Sequence, residues 1–163
     1  MKAILIDSKA REIREVSYSR GEDLRGFVGG FIQAVPVRLP NGDTLYVDEE
    51  GLFKPQTSFF MFHGHAAPLA GNGVIVGPEI DDEDAEEGYR TEAPGCSPRS
   101  LARFVRFMDR DQFDAWGKAN ASEPACTFTT INDDGTLGET EILLRFGSLF
   151  ADVPRPKDEG EAE

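Results

Sequence analysis

Apolar and polar positions along this chain change period several times, and each change marks an element. Residues 3–6 form a short apolar run (Ala3, Ile4, Leu5, Ile6) closed by the turn Asp7-Ser8-Lys9, the pattern of a buried strand. Residues 12–18 alternate in character through Ile13, Val16 and Tyr18 and read as the returning strand. Asp23 to Val28 reads as a short helix stopped by Gly29-Gly30. Phe31 to Leu39 is strand-like, with Pro36 marking an edge or a bulge. Asn41-Gly42 is a hairpin turn signal, and Thr44 to Val47 is the return strand. Phe59 to Phe62 fits a strand or a buried helical turn, because four residues carry no decisive period. Val74 to Val76 is a short buried strand closed by Gly77-Pro78.

The second half carries the strongest helix signal. Ser97 suits an N-cap and Pro98 the first helical position. A helix over 98–110 places Arg99, Arg103, Arg106 and Arg110 within about 60° of one another, opposite Leu101, Phe104, Val105, Phe107 and Met108. Its straight continuation would put Phe113 on the arginine side, so a break is expected near Asp109–Asp111. A second short helix then carries Phe113 and Trp116. Cys126 to Ile131 and Glu139 to Phe146 read as paired strands joined through Asn132-Asp133-Asp134-Gly135. These elements predict one α+β domain over residues 1–152: a mostly antiparallel sheet with the short helices of 98–117 on one face. Residues 153–163 offer only Val153 and Ala162 to a core and are expected to be disordered.

Charge sharpens this picture once it is located. The formal net charge is −13. Residues 79–92 hold eight carboxylates and one arginine, and residues 158–163 hold four carboxylates and no base. The remaining 143 residues total about −2, a nearly neutral body with an acidic loop and tail attached. Seven of the nine residues from 79 to 87 are acidic, a density that favours an extended, mobile chain. The acids Asp81, Asp82, Glu83, Asp84, Glu86 and Glu87 are then either a solubilising segment or a phosphate mimic for a partner. A third possibility is that they fold back onto the arginine stripe.

The first half resembles a known family in four pieces, taken in order. They are Met1-Lys2-Ala3-Ile4-Leu5-Ile6-Asp7, Gly29-Gly30-Phe31-Ile32-Gln33-Ala34-Val35, Asn41 to Gly51, and Leu69 to Gly77. Over residues 1–77 the chain resembles the uncharacterised family called domain of unknown function 3846. The resemblance implies an accessory role on a phage, plasmid or other mobile element. It supplies no catalytic residues to carry over.

The chemistry-bearing residues point to binding rather than to a reaction. Arg99, Arg103, Arg106 and Arg110 present forks that match phosphate oxygens, or are a solvated face neutralised by the acidic loop. The net charge argues against bulk DNA attraction. The histidines His63 and His65 would share a side in a strand, but no third metal ligand is suggested nearby. Asp81 to Asp84 lack the spacing of a calcium loop. Cys96 precedes a helix N-terminus, which could lower its pKa, and is the one thiol with any such context. No catalytic residue, cofactor or metal is assigned. Cys96 and Cys126 show no metal spacing, and neither a signal peptide nor a membrane-spanning run is visible, so the expected setting is cytoplasmic. The expectation is a non-enzymatic accessory protein that binds a macromolecule, with a protein partner. Two alternatives stand beside it: a ligand pocket built from distant residues, and a homo-oligomer with segment 59–62 at its interface.

Overall fold

The computed structural model describes residues 1–85 and 88–120, with the backbone of residues 124–131 and 137–145. Strands β1 (Lys2–Asp7) and β2 (Glu12–Ser17) form a hairpin in register from Lys2↔Ser17 to Asp7↔Glu12. Helix α1 (Gly21–Val28) leads to β3 (Ile32–Ala34) and β4 (Thr44–Asp48), then to β5 (Ser58–Phe62), β6 (Leu69–Ala70) and β7 (Gly73–Val76). The hairpin β8 (Glu79–Asp81) and β9 (Tyr89–Thr91) follows, then α2 (Pro98–Leu101), β10 (Val105–Asp109) and α3 (Arg110–Ala119). Strands β11 (Pro124–Ile131) and β12 (Leu137–Arg145) close the order.

Every strand pair is antiparallel, and the α+β class expected from the sequence is the class observed. The single sheet expected is divided, however. One sheet has the order β2-β1-β7-β4-β3, and a second has the order β10-β5-β6. The β11–β12 pair is a ladder of its own and adds to neither.

The two larger sheets pack face to face because their central strands are apolar on both sides. On β1, Ile4 and Ile6 face inward with Leu45, Ile75, Phe60 and Phe62, while Ala3 and Leu5 face outward with Val74 and Val76. Helix α1 covers that outer face with Leu24 and Val28. Its first turn is held by the Asp23 carboxylate, which accepts from the Ser19 and Arg20 amides at 2.8 and 3.0 Å; these bonds lower its pKa. On β5, Phe60 and Phe62 point into the space between the sheets, and Phe59 points to α3. The Phe59 and Phe113 rings stack 3.9 Å apart at 7°, and neither is exposed. The order is therefore α1, first sheet, second sheet, α3, with helices on two outer faces.

Segment 59–62 is thus a strand whose aromatic side chains face the interior. With Phe59 and Phe60 at 0% exposure, both rings are taken up by the chain's own core. A polar staple ties the sheets together at one end. The Ser8 and Ser58 hydroxyls share a hydrogen bond of 2.9 Å, the Ser8 amide donates to Asn72 Oδ1, and Asn72 Nδ2 donates to Phe27 O. Near β3 the buried Asp48 carboxylate is paired with Lys54 Nζ at 2.6 Å. Gly30 is required there, because a Cβ would collide with both of those side chains.

The helix expected over 98–110 does not form. Ser97 does cap a helix, with its Oγ accepting from the Ser100 amide, but α2 lasts one turn. The chain then turns through 102–104 and extends as β10, pairing Val105↔Phe62, Arg106↔Met61 and Phe107↔Phe60. Val105 and Phe107 enter the core between the sheets, and Met108 enters the core under α3. A strand with Val105 and Phe107 on one face and Met108 on the other accommodates apolar positions that suggested a helix. The short helix carrying Phe113 and Trp116 is present as α3, with Asp109 as its N-cap, but at Asp109–Arg110 it follows a strand and not a broken helix. Among the described residues no helix is long and apolar enough to cross a membrane.

Candidate functional site

Two adjoining hollows open where β5 ends and α2 leads into β10. The first is a cleft of about 590 Å³. One wall is the extended segment Pro36–Pro40, joined to β4 through the Val35 amide, which donates to Leu45 O at 2.8 Å. The other wall is Gly95, Cys96 and Ser100, and the floor is Phe62, Leu101 and Phe104. The second hollow, a shelf of about 310 Å³, is lined by Met61, His65, Val105 and Arg106. Phe62, His63, Gly64, Arg103 and Phe104 line both hollows.

The loop between them is fixed by backbone bonds. The His63 amide donates to Phe104 O at 2.8 Å and the His65 amide to Phe62 O at 3.0 Å, with Gly64 at φ +91° making the turn. His65 Nδ1 lies 2.7 Å from Ala67 O, a distance at which it donates. The Phe104 ring is the shared table: the Arg103 guanidinium lies over it at 4.9 Å, and the His63 ring is 6.0 Å away.

The far wall depends on Asp43, which is only 5% exposed. Its Oδ1 accepts from the Gly95 amide at 3.0 Å and its Oδ2 from the Cys96 amide at 3.2 Å. Gly95 has no room for a side chain, because a Cβ would meet the side chain of Asn41. Burial, and then the hydrogen bond and charge of Asp43, push the Cys96 thiol up to about 12. The thiol is protonated at neutral pH, the reverse of the activation a helix N-terminus could have given it.

Electrostatically the site stands apart from the rest of the chain. The sequence holds 30 carboxylates, yet among the described residues none that lines either hollow is acidic. Arg38, Arg103 and Arg106 are exposed at its rim. The arrangement can hold an anion against guanidinium forks with an apolar body beside it. Among the described residues no group of three or more His, Cys, Asp or Glu side chains is placed to hold a metal ion.

The four arginines expected on one helix face are spread over four pieces of chain. Arg99 is exposed on α2, Arg103 sits in the following turn, Arg106 lies on β10 and Arg110 opens α3. Only Arg103 and Arg106 meet at the groove. Arg110 is engaged internally, with Nε 2.9 Å from Asp114 Oδ1 and its guanidinium over the Phe113 ring.

The acidic segment does not rest on these arginines in its described part. Asp81 ends β8, Asp82 pairs with Arg90 of β9 at 3.1 Å and also accepts from the Asp84 amide, and Glu83 is exposed in the turn. The base of this hairpin lies on the α1 side of the first sheet, where Glu79, Tyr89 and Thr91 border a hollow with Tyr18 and Leu24. Glu86, Glu87 and the tail expected to be disordered lie outside the described residues. Sequence reasoning missed Arg38 and Asp43. Arg38 sits in a segment read as strand-like with an edge or a bulge at Pro36, and Asp43 gains its partners from a loop far downstream.

No curated protein and no solved structure matches the chain. A family model does match, over residues 1–91. That span reaches past the four pieces that carry the sequence resemblance and takes in β8 and β9. It supplies one half of the groove, Pro36–Pro40 and Phe62–Gly64, while Gly95 to Arg106 come from beyond it. The matched residues make up more than half of the sequence, and the chain belongs to the family described as a domain of unknown function, DUF3846.

Proposed function

We propose that this chain is a non-enzymatic accessory protein that works by binding, and that its working surface is the groove rimmed by Arg38, Arg103 and Arg106. The observation that carries this reading is that, among the described residues, no carboxylate lines the groove in a chain of net charge −13. Carboxylates facing the hollows would repel an anionic ligand, and arginine forks attract one. The protonated Cys96 thiol supports binding over nucleophilic chemistry at the same place. In the mobile-element setting that the family resemblance implies, the anionic group would belong to a host or element macromolecule or to a ligand that it makes.

The test compares anions at matched ionic strength. Inorganic phosphate should raise the melting temperature of the full chain more than chloride does. The double variant Arg103→Glu, Arg106→Glu should lose that difference, and Arg99→Glu should keep it. An equal response of the double variant and the parent would refute the groove as the anion site.

A further inference from the structure

We infer that the group bound in this groove is a nucleotide, with its ring in the apolar cleft and its phosphate on the shelf. The inference rests on the anion-site reading and adds the class of ligand. It starts from the uneven division between the hollows. Of the five arginine and histidine side chains lining them among the described residues, Arg103 and His63 border both hollows, Arg106 and His65 border the shelf alone, and Arg38 borders the cleft alone. The cleft is otherwise mostly apolar, with Val37, Leu39 and Pro40 facing Leu101 and Phe104.

A bare oxyanion would occupy the shelf and leave the cleft unfilled. At about 590 Å³ the cleft lies within the usual range of about 300–1,000 Å³ for sites that hold drug-sized ligands. An acidic peptide would leave the apolar side chains found only in the cleft, Val37, Leu39 and Leu101 among them, without a matching group, whereas a ring would cover them. A ring with a phosphate at one end has the matching asymmetry. The cations are also of the matching kind. Among the described residues no lysine lines either hollow, and the planar guanidinium forks pair bidentately with phosphate oxygens.

Arg103 holds the junction. Its guanidinium lies over Phe104, which borders both hollows, and among the described residues no carboxylate lies within ion-pair distance of it. A phosphate there would meet a cation already positioned by its own neighbour. Long duplexes are disfavoured by the net charge, so the ligand is a free nucleotide or the end of a strand.

Isothermal titration of the full chain with ADP, adenosine, inorganic phosphate and a hexaglutamate peptide at low salt tests this. ADP should bind at least about tenfold tighter than adenosine or phosphate alone, because only ADP fills both hollows. Arg103→Gln and Arg106→Gln should each weaken ADP by about tenfold, and Arg99→Gln should not. Because all three arginines are exposed, unchanged thermal melts should show that the variants are folded. ADP binding no tighter than phosphate overturns the ring site while leaving the anion site standing. Hexaglutamate binding tighter than ADP likewise leaves the anion site but makes its occupant an acidic protein segment. If ADP, phosphate and hexaglutamate all fail to bind, both the nucleotide and the anion site fall.

Discussion

Replacing Asp43 by alanine should unfasten the groove wall and destabilise the whole domain. The carboxylate is buried and accepts from two backbone amides, Gly95 and Cys96, at 3.0 and 3.2 Å. Hydrogen bonds to a charged group contribute about 1.5–3 kcal/mol each, and an amide left unpaired away from water carries a similar penalty. Gly95 is exposed and Cys96 is half-buried, so water recovers part of the loss. The lower end of the summed range, about 3 kcal/mol, is the expected destabilisation. With a urea slope of about 2 kcal/mol/M, the unfolding midpoint should fall by about 1.5 M. Asp43→Asn has the same shape but turns one acceptor into a donor aimed at an amide, so it should recover little. The thiol gives a second readout. Removing the carboxylate removes the second and third causes of the raised Cys96 pKa while burial, the first, remains. Alkylation of Cys96 at pH 9 should therefore be faster in Asp43→Asn than in the parent, though slower than for an exposed thiol. A midpoint shift below about 0.5 M, which corresponds to about 1 kcal/mol, with unchanged alkylation would refute the clamp.

Three further outcomes follow from the packing. Phe113→Ala empties a fully buried site stacked on Phe59 and should destabilise by about 3–5 kcal/mol in urea unfolding; a loss under about 2 kcal/mol would mean that the interface collapses to fill the space. Lys54→Met leaves the buried Asp48 carboxylate with only the Glu50 amide for support. It should destabilise by about 3 kcal/mol, the low end for breaking a buried pair because Lys54 is partly exposed; an unchanged melt would show that Asp48 does not need its partner. Stability should also fall in alkali. The Cys96 thiol is raised from its ordinary value to about 12, so its contribution is complete below about pH 9, where the unfolded thiol keeps its proton, and is lost as pH rises toward 12. Cys96→Ser should flatten the decline in urea midpoint between pH 8 and 11, although Tyr46, raised mainly by burial, keeps a slope of the same sign. Parallel declines in the two proteins would contradict this.

The sequence by itself determined the elements whose signals are local. The runs at 3–6 and 74–76 are continuous because their strands are covered on both faces, and they read correctly without knowledge of the covers. The Ser97-Pro98 start, the stop at Gly29 and the separate short helix that carries Phe113 are likewise set by neighbouring residues. The concentration of charge in 79–92 is visible from composition alone, but its pairing of Asp82 with Arg90 follows only from the hairpin.

Tertiary structure decided everything that depended on a distant partner. Residues 104–108 place apolar side chains where either a helix or a two-sided strand would, and the exposed edge of β5 resolves the choice by offering hydrogen bonds to an extended chain. That one choice dissolves the arginine stripe, sends Arg110 to Asp114 and leaves Arg103 and Arg106 beside the histidine loop. The groove itself joins residues 36–40, 62–65 and 95–106, and its wall hangs on Asp43 reaching across more than fifty residues to Gly95 and Cys96. No local period records such a meeting. Periodicity reports which side of an element is apolar, whereas a site is the place where different elements face one another, and packing alone sets that.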